Sequence, residues 1–159
     1  MESFEFHGAK ATFAALPGYG KMAAAAAKDA GLPEDKAIAQ QEVTEFSVAE
    51  ALVSVAPGQA IIEAWGLLEY QLNVASDRLS PDQPTGWPQV ARNLERWEPW
   101  PLLRPVVEEL RRLRDYTVHS GRRPPSKDDA ARYVSVAQDV ATTLRSAFPP
   151  IETGMVTHE

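Results

Sequence analysis

Residues 111–123 read Arg-Arg-Leu-Arg-Asp-Tyr-Thr-Val-His-Ser-Gly-Arg-Arg, five arginines and one histidine against a single acid. Guanidinium forks match phosphate oxygens, so such a cluster at a helix end is suited to grip phosphate groups. His119 is the side chain in this stretch suited to general acid–base work. A structural role competes with that chemistry. Arginines late in a helix favour its negative end, and a histidine there bonds free carbonyls.

On an ideal helix, residues five apart are separated by about 140° around the axis, so Arg114 and His119 do not share a face unless the helix ends or distorts between them. Asp115 lies four residues before His119 and does share its face, where it would orient one imidazole nitrogen or form an ordinary i,i+4 surface pair. Arg122 and Arg123 are placed to add phosphate contacts or simply to be solvated. Arg111 and Arg112 are expected to pair with Glu108 and Glu109. Tyr116 is expected to pack in the core rather than stack on a base.

The rest of the composition excludes several other chemistries. The 159 residues contain no cysteine, which removes disulfides, thiolate catalysis and Cys-ligated zinc. His7, His119 and His158 are far apart and form no HxxxH or HExxH pair, so no metal site and no cofactor is expected. No apolar run approaches the ~18–20 residues that span a bilayer, and no signal peptide opens the chain. No membrane contact and a cytoplasmic location are therefore expected. A net charge of −6 opposes general nucleic-acid binding, and the 111–123 cluster is the local exception.

Length and a 44% hydrophobic fraction fit one globular domain. Residues 1–56 carry four lysines and eight acids; residues 57–159 carry eleven arginines and one lysine against fourteen acids. Residues 1–6 alternate weakly, as a short strand would. Residues 16–20 are turn chemistry, Lys21 to Ala30 is helix-prone, and Pro33 opens a further helix. Its apolar face would be Ile38, Val43, Phe46, Val48, Leu52 and Val55. Pro57 opens a helix to about Leu79, with Ile61, Trp65, Leu68, Leu72, Ala75 and Leu79 as its stripe. A loop over 80–86 leads to a short helix over 87–97.

The helix carrying the cluster is expected from about Leu102 to His119, with Leu103, Val106, Val107, Leu110, Leu113 and Val118 inward and Gly121 ending it. Ser126 is a good N-cap for a last helix to about Phe148, with Asp128 and Asp129 in its first turn. Residues 149–159 read as a frayed tail. The fold class is all-α, a bundle of four or five helices with a short N-terminal strand. Trp65 belongs to a core stripe, and Trp87, Trp97 and Trp100 surround a proline-rich connection that covers the bundle. Glu63 and Glu69 are expected to be exposed carboxylates.

The segment Arg114 to His119, RDYTVH, resembles the R-x4-H signature of HEPN domains, including a polar residue just after the arginine. Its surroundings are similar as well: the motif closes a long helix (LRRLRDYTVHSG), followed by SKDDAARYVSVAQDVATTLRS and preceded by AIIEAWGLLEYQL. The resemblance covers about residues 57–147, and it implies a division into an N-terminal extension over 1–56 and a HEPN-like bundle over 57–148. Catalytic members of that family are metal-independent ribonucleases acting as dimers.

By similarity, Arg114 would orient the scissile phosphate and His119 would act as general base or acid. The RNA 2′-hydroxyl would then attack the adjacent phosphorus and leave a 2′,3′-cyclic phosphate. A homodimer, RNA, and an antitoxin or other protein partner are the implied partners, in a toxin or defence setting. The competing expectation is a non-catalytic interaction module of a larger, membrane-anchored protein. A mononucleotide site is a third, weakened by the lack of a glycine-rich phosphate loop.

Overall fold

Proline placement and one capping box mark out most of the helices. The computed structural model describes residues 13, 15, 16, 18, 21–23, 25, 28, 45–83, 86–119 and 124–149. Four helices are delimited in full: α1 Pro57–Leu79, α2 Trp87–Leu94, α3 Trp100–His119 and α4 Lys127–Ala147. Residues 45–52 are also helical, as are the described positions between 13 and 28. The described chain is all-helical and contains no strand. The strand expected over 1–6 and the tail expected beyond 149 lie outside the described residues, apart from Pro149.

Pro57 sits in the first turn of α1, where its missing N–H costs nothing. The expected stripe is buried from Ile61 through Ala75, and Leu79 packs against it half-buried. α1 is the central element, packing most extensively on α4 and also on α3 and α2. α2 is shorter than the expected 87–97 helix. After Leu94 the chain tightens, with Glu95, Arg96 and Trp97 donating to carbonyls three residues back, and Pro99 then closes the turn.

α3 starts at Trp100, two residues before the expected start, and carries Pro105 within it. Pro105, the sixth residue, cannot donate to the Pro101 carbonyl, so the helix continues through it with one bond missing. Its inward stripe runs from Leu103 to Leu113 as expected. Val118 departs from it, at 46% exposure. The last turn of α3 projects past the core.

Ser126 and Asp129 form a reciprocal capping box: Ser126 Oγ accepts from the Asp129 amide at 3.1 Å, and Asp129 Oδ2 accepts from the Ser126 amide at 3.3 Å. α4 is buried on most of its circumference, from Ala130 through Leu144 and Arg145. The helix over 45–52 differs from expectation in its face. Phe46 and Ala49 are buried and Leu52 is half-buried, whereas Val48 and Val55 are exposed. Ile38 and Val43 lie outside the described residues. The chain turns at 53–55, which rotates Val55 out to 81% exposure. Phe13, Leu16, Ala23, Phe46 and Ala49 belong to the same hydrophobic cluster as α1, α3 and α4.

Tyr133 ties α4 to α3. Its hydroxyl is fully buried and donates to the Leu110 carbonyl at 2.7 Å, and its ring meets Phe13 at 6.5 Å. Burial pushes the phenol well above its ordinary value; the nearby Arg114 opposes that shift and Asp115 adds to it. In the unfolded chain the phenol ionises near pH 10, while the folded chain holds it neutral to higher pH. The stabilisation is therefore fully present below about pH 10 and is lost as pH rises beyond it, at about 1.4 kcal/mol per pH unit for this one group. Urea unfolding above about pH 10 is expected to show this slope, and Tyr133→Phe should flatten it; an unchanged slope would contradict the assignment.

Candidate functional site

The last two turns of α3 hold the residues that the sequence singles out. Leu110 and Leu113 anchor this end in the core, and Thr117 lies against the start of α1. Its methyl is 3.6 Å from the point a Cβ on Gly58 would occupy, with Pro125 at 4.0 Å. Thr117 Oγ1 donates to the Leu113 carbonyl at 2.8 Å, fixing the side chain. Tyr116 packs half-buried against the core, as expected.

Arg114 is half-buried. Its Nη1 donates to Asp115 Oδ1 at 2.8 Å, while its Nε is buried and has no hydrogen-bond partner among the described residues. Two donors on one guanidinium are thus in different states, one held by a carboxylate and one unsatisfied. Asp115 departs from expectation: it pairs with Arg114, and among the described residues no hydrogen bond joins it to His119. The adjacent fork is the competitor that wins, because the guanidinium and carboxylate make a charge-assisted bond.

His119 is the final residue of α3 and is exposed. The helix continues to it without a break, so the separation of about 140° from Arg114 stands. Along the axis the two Cα atoms are about 7.5 Å apart. Within one chain the two side chains diverge.

The flanking arginines are partly engaged. Arg112 pairs with Glu109, as expected. Glu108 instead binds Arg104 at 2.9 Å, and Arg104 also reaches Glu95 at 3.4 Å. Arg111 stacks over the Trp87 ring at 5.5 Å. Trp87 meets the buried Trp100 edge-on at 6.4 Å, and Trp97 meets Phe148 at 5.3 Å. Trp65 is in the core and donates to Glu69 Oε2 at 3.2 Å. Glu69 is exposed and Glu63 is half-buried. The four tryptophans therefore serve packing. Arg122, Arg123, His7 and His158 lie outside the described residues.

Among the described residues no group of acids and histidines is arranged to hold a metal ion, and no helix is long and apolar enough to cross a membrane. Sequence reasoning missed two features. One is the half-buried Arg145–Glu45 ion pair, whose partners are a hundred residues apart. The other is a cleft between α1 and α2, lined by polar and apolar side chains that carry no motif.

The fold and site together define an all-helical bundle with an arginine-rich helix end that presents one half-buried arginine and one exposed histidine. Comparisons with models of known protein families, with curated proteins and with solved structures found no match to this chain.

Proposed function

We propose that this chain is a HEPN-like, metal-independent endoribonuclease whose R-x4-H motif works in a cleft shared by two copies. The observation that carries the reading is the divergence of Arg114 and His119 on one unbroken helix. A phosphate contacted by Arg114 of one chain cannot readily meet His119 of the same chain. Two α3 ends facing one another bring an arginine from one copy to a histidine of the other. The orphaned Nε of Arg114 supports it further, since a buried donor without a partner is costly and an incoming phosphate oxygen would satisfy it. Pairing two arginine clusters also concentrates positive potential in an otherwise acidic protein.

His119 then takes the 2′-hydroxyl proton, or returns one to the leaving 5′-oxygen, while Arg114 neutralises the phosphorane oxygens. The reading extends to a toxin or defence role, with an antitoxin as partner. Mixing tests the composite site. Arg114→Ala and His119→Ala proteins, each inactive alone, are expected to regain about a quarter of wild-type cleavage when mixed and allowed to exchange. Random pairing makes half the dimers mixed, each with one intact arginine–histidine pair. No recovery despite demonstrated exchange would place both groups in one chain.

A second reading, a non-catalytic interaction module, is favoured by the Arg114–Asp115 pair itself, which gives Arg114 a structural partner. It requires that wild-type protein cleave no RNA and that binding of a protein partner depend on exposed apolar residues such as Val118.

A further inference from the structure

A cleft of about 270 Å³ opens between the second half of α1 and α2, just below the usual range for ligand pockets and large enough only for a small molecule. Its floor is polar and fixed. Asn93, 5% exposed, donates its amide to Ser76 Oγ at 2.9 Å and accepts from Gln89 Nε2 at 2.8 Å. Both of its amide ends are thereby oriented. Val74 and Val90 form an apolar wall.

The rim decides the ligand class. Among the described residues Asp77 is the sole charged side chain lining the cleft, it is exposed, and it forms no ion pair. Tyr70 is 62% exposed, unusually so for an aromatic ring with an apolar wall beside it. Seven residues are close to two helical turns, so Tyr70 and Asp77 stand on one face of α1, about 10 Å apart along the axis. A carboxylate and an aromatic ring flanking an apolar wall recognise a positive charge on a short hydrophobic body. Phosphates and carboxylates are disfavoured, because no lysine or arginine lines the cleft.

We infer that the α1–α2 cleft binds a small organic cation, an ammonium group carrying a short aromatic or aliphatic portion. The ammonium pairs with Asp77, the body lies along Val74 and Val90, and the Tyr70 ring flanks it. This site does not depend on the ribonuclease reading and is assembled from different residues.

Titration with phenethylammonium, followed through the side-chain amide NMR signals of Asn73, Gln83 and Asn93, tests it. Saturable shifts of these three signals are expected at millimolar probe, with Arg114→Ala protein behaving as wild type. Asp77→Asn should weaken binding roughly tenfold, and uncharged phenethyl alcohol should bind wild type roughly tenfold more weakly than the amine, each equivalent to about 1.4 kcal/mol. Tyr70→Ala should weaken it about two- to fivefold. Asp77 and Tyr70 are exposed, so both variants should melt as wild type does. Absence of saturable shifts overturns the inference, as does equal affinity for amine and alcohol or an Asp77→Asn protein that binds as well as wild type.

Discussion

Wild-type protein is expected to cleave a mixed RNA in excess EDTA, and His119→Ala to lower that rate by ~10²–10⁴-fold. The size of the effect follows from what the substitution removes. Without the imidazole no positioned group trades a proton with the 2′-hydroxyl or the leaving oxygen, and solvent must do so. His119 is exposed at the end of α3, so the variant should keep its fold and stability within about 0.5 kcal/mol. Loss of rate can then be assigned to chemistry.

Arg114 needs a different control because it is half-buried and paired. Arg114→Ala should cost ~10²–10³-fold in rate by removing a charge aimed at the developing phosphorane, and it also leaves Asp115 unpaired. Arg114→Lys keeps the charge but loses the planar fork, and it is expected to recover stability more fully than activity. Cyclic-phosphate ends from wild type alone would support both roles. Activity surviving in both alanine variants would identify a contaminating nuclease and remove the ribonuclease reading. Folded but silent wild type would leave the interaction module as the function.

Glu45→Ala should destabilise the protein by ~3 kcal/mol, the lower end of what breaking a buried ion pair costs. Arg145 is only 5% exposed, and Glu45 is its charged partner from the helix over 45–52. Removing the carboxylate leaves a buried guanidinium with its charge uncompensated. Glu45 retains a third of its exposure, so water reaches the vacated side and limits the loss. The double variant Glu45→Leu with Arg145→Met should recover most of the loss, since an apolar pair carries no desolvation penalty. Urea midpoints of Glu45→Leu, Arg145→Met and the double variant measure the coupling. Additive losses would show that Arg145 does not depend on Glu45.

The contrast between the helix with Pro57 and the helix with Phe46 shows how much of the fold was readable. Over 57–148, apolar residues recur at three and four, and proline and Ser126 punctuate them, so α1, α3 and α4 follow from local pattern. Over 45–55 the pattern admits two faces, and Val48 and Val55 belong to the one that is exposed. Periodicity ranks residues on one helix but cannot say which side meets a neighbour. Trp87 to Trp97 shows the same limit at an end: the composition suits a helix throughout, yet the bonds shorten to i→i−3 after Leu94 so that the chain can turn into Pro99.

At the candidate site, residue types and spacing were legible and partners were not. The sequence by itself determined the helices over 57–148, the lack of thiol chemistry and the gathering of positive charge over 111–123, because these depend on composition and on neighbours within one turn. Spacing alone also placed Arg114 and His119 on different sides of a helix. Only the tertiary structure decided that α3 runs unbroken to His119, that Asp115 spends its carboxylate on Arg114, and that Arg114 Nε is buried without a partner. It alone brought Glu45 to Arg145, and built a cleft from Tyr70, Asp77 and Asn93. Pairing and burial depend on which surfaces meet. Helices close in sequence and far apart in sequence pack by shape and apolar area, and no local pattern records that choice.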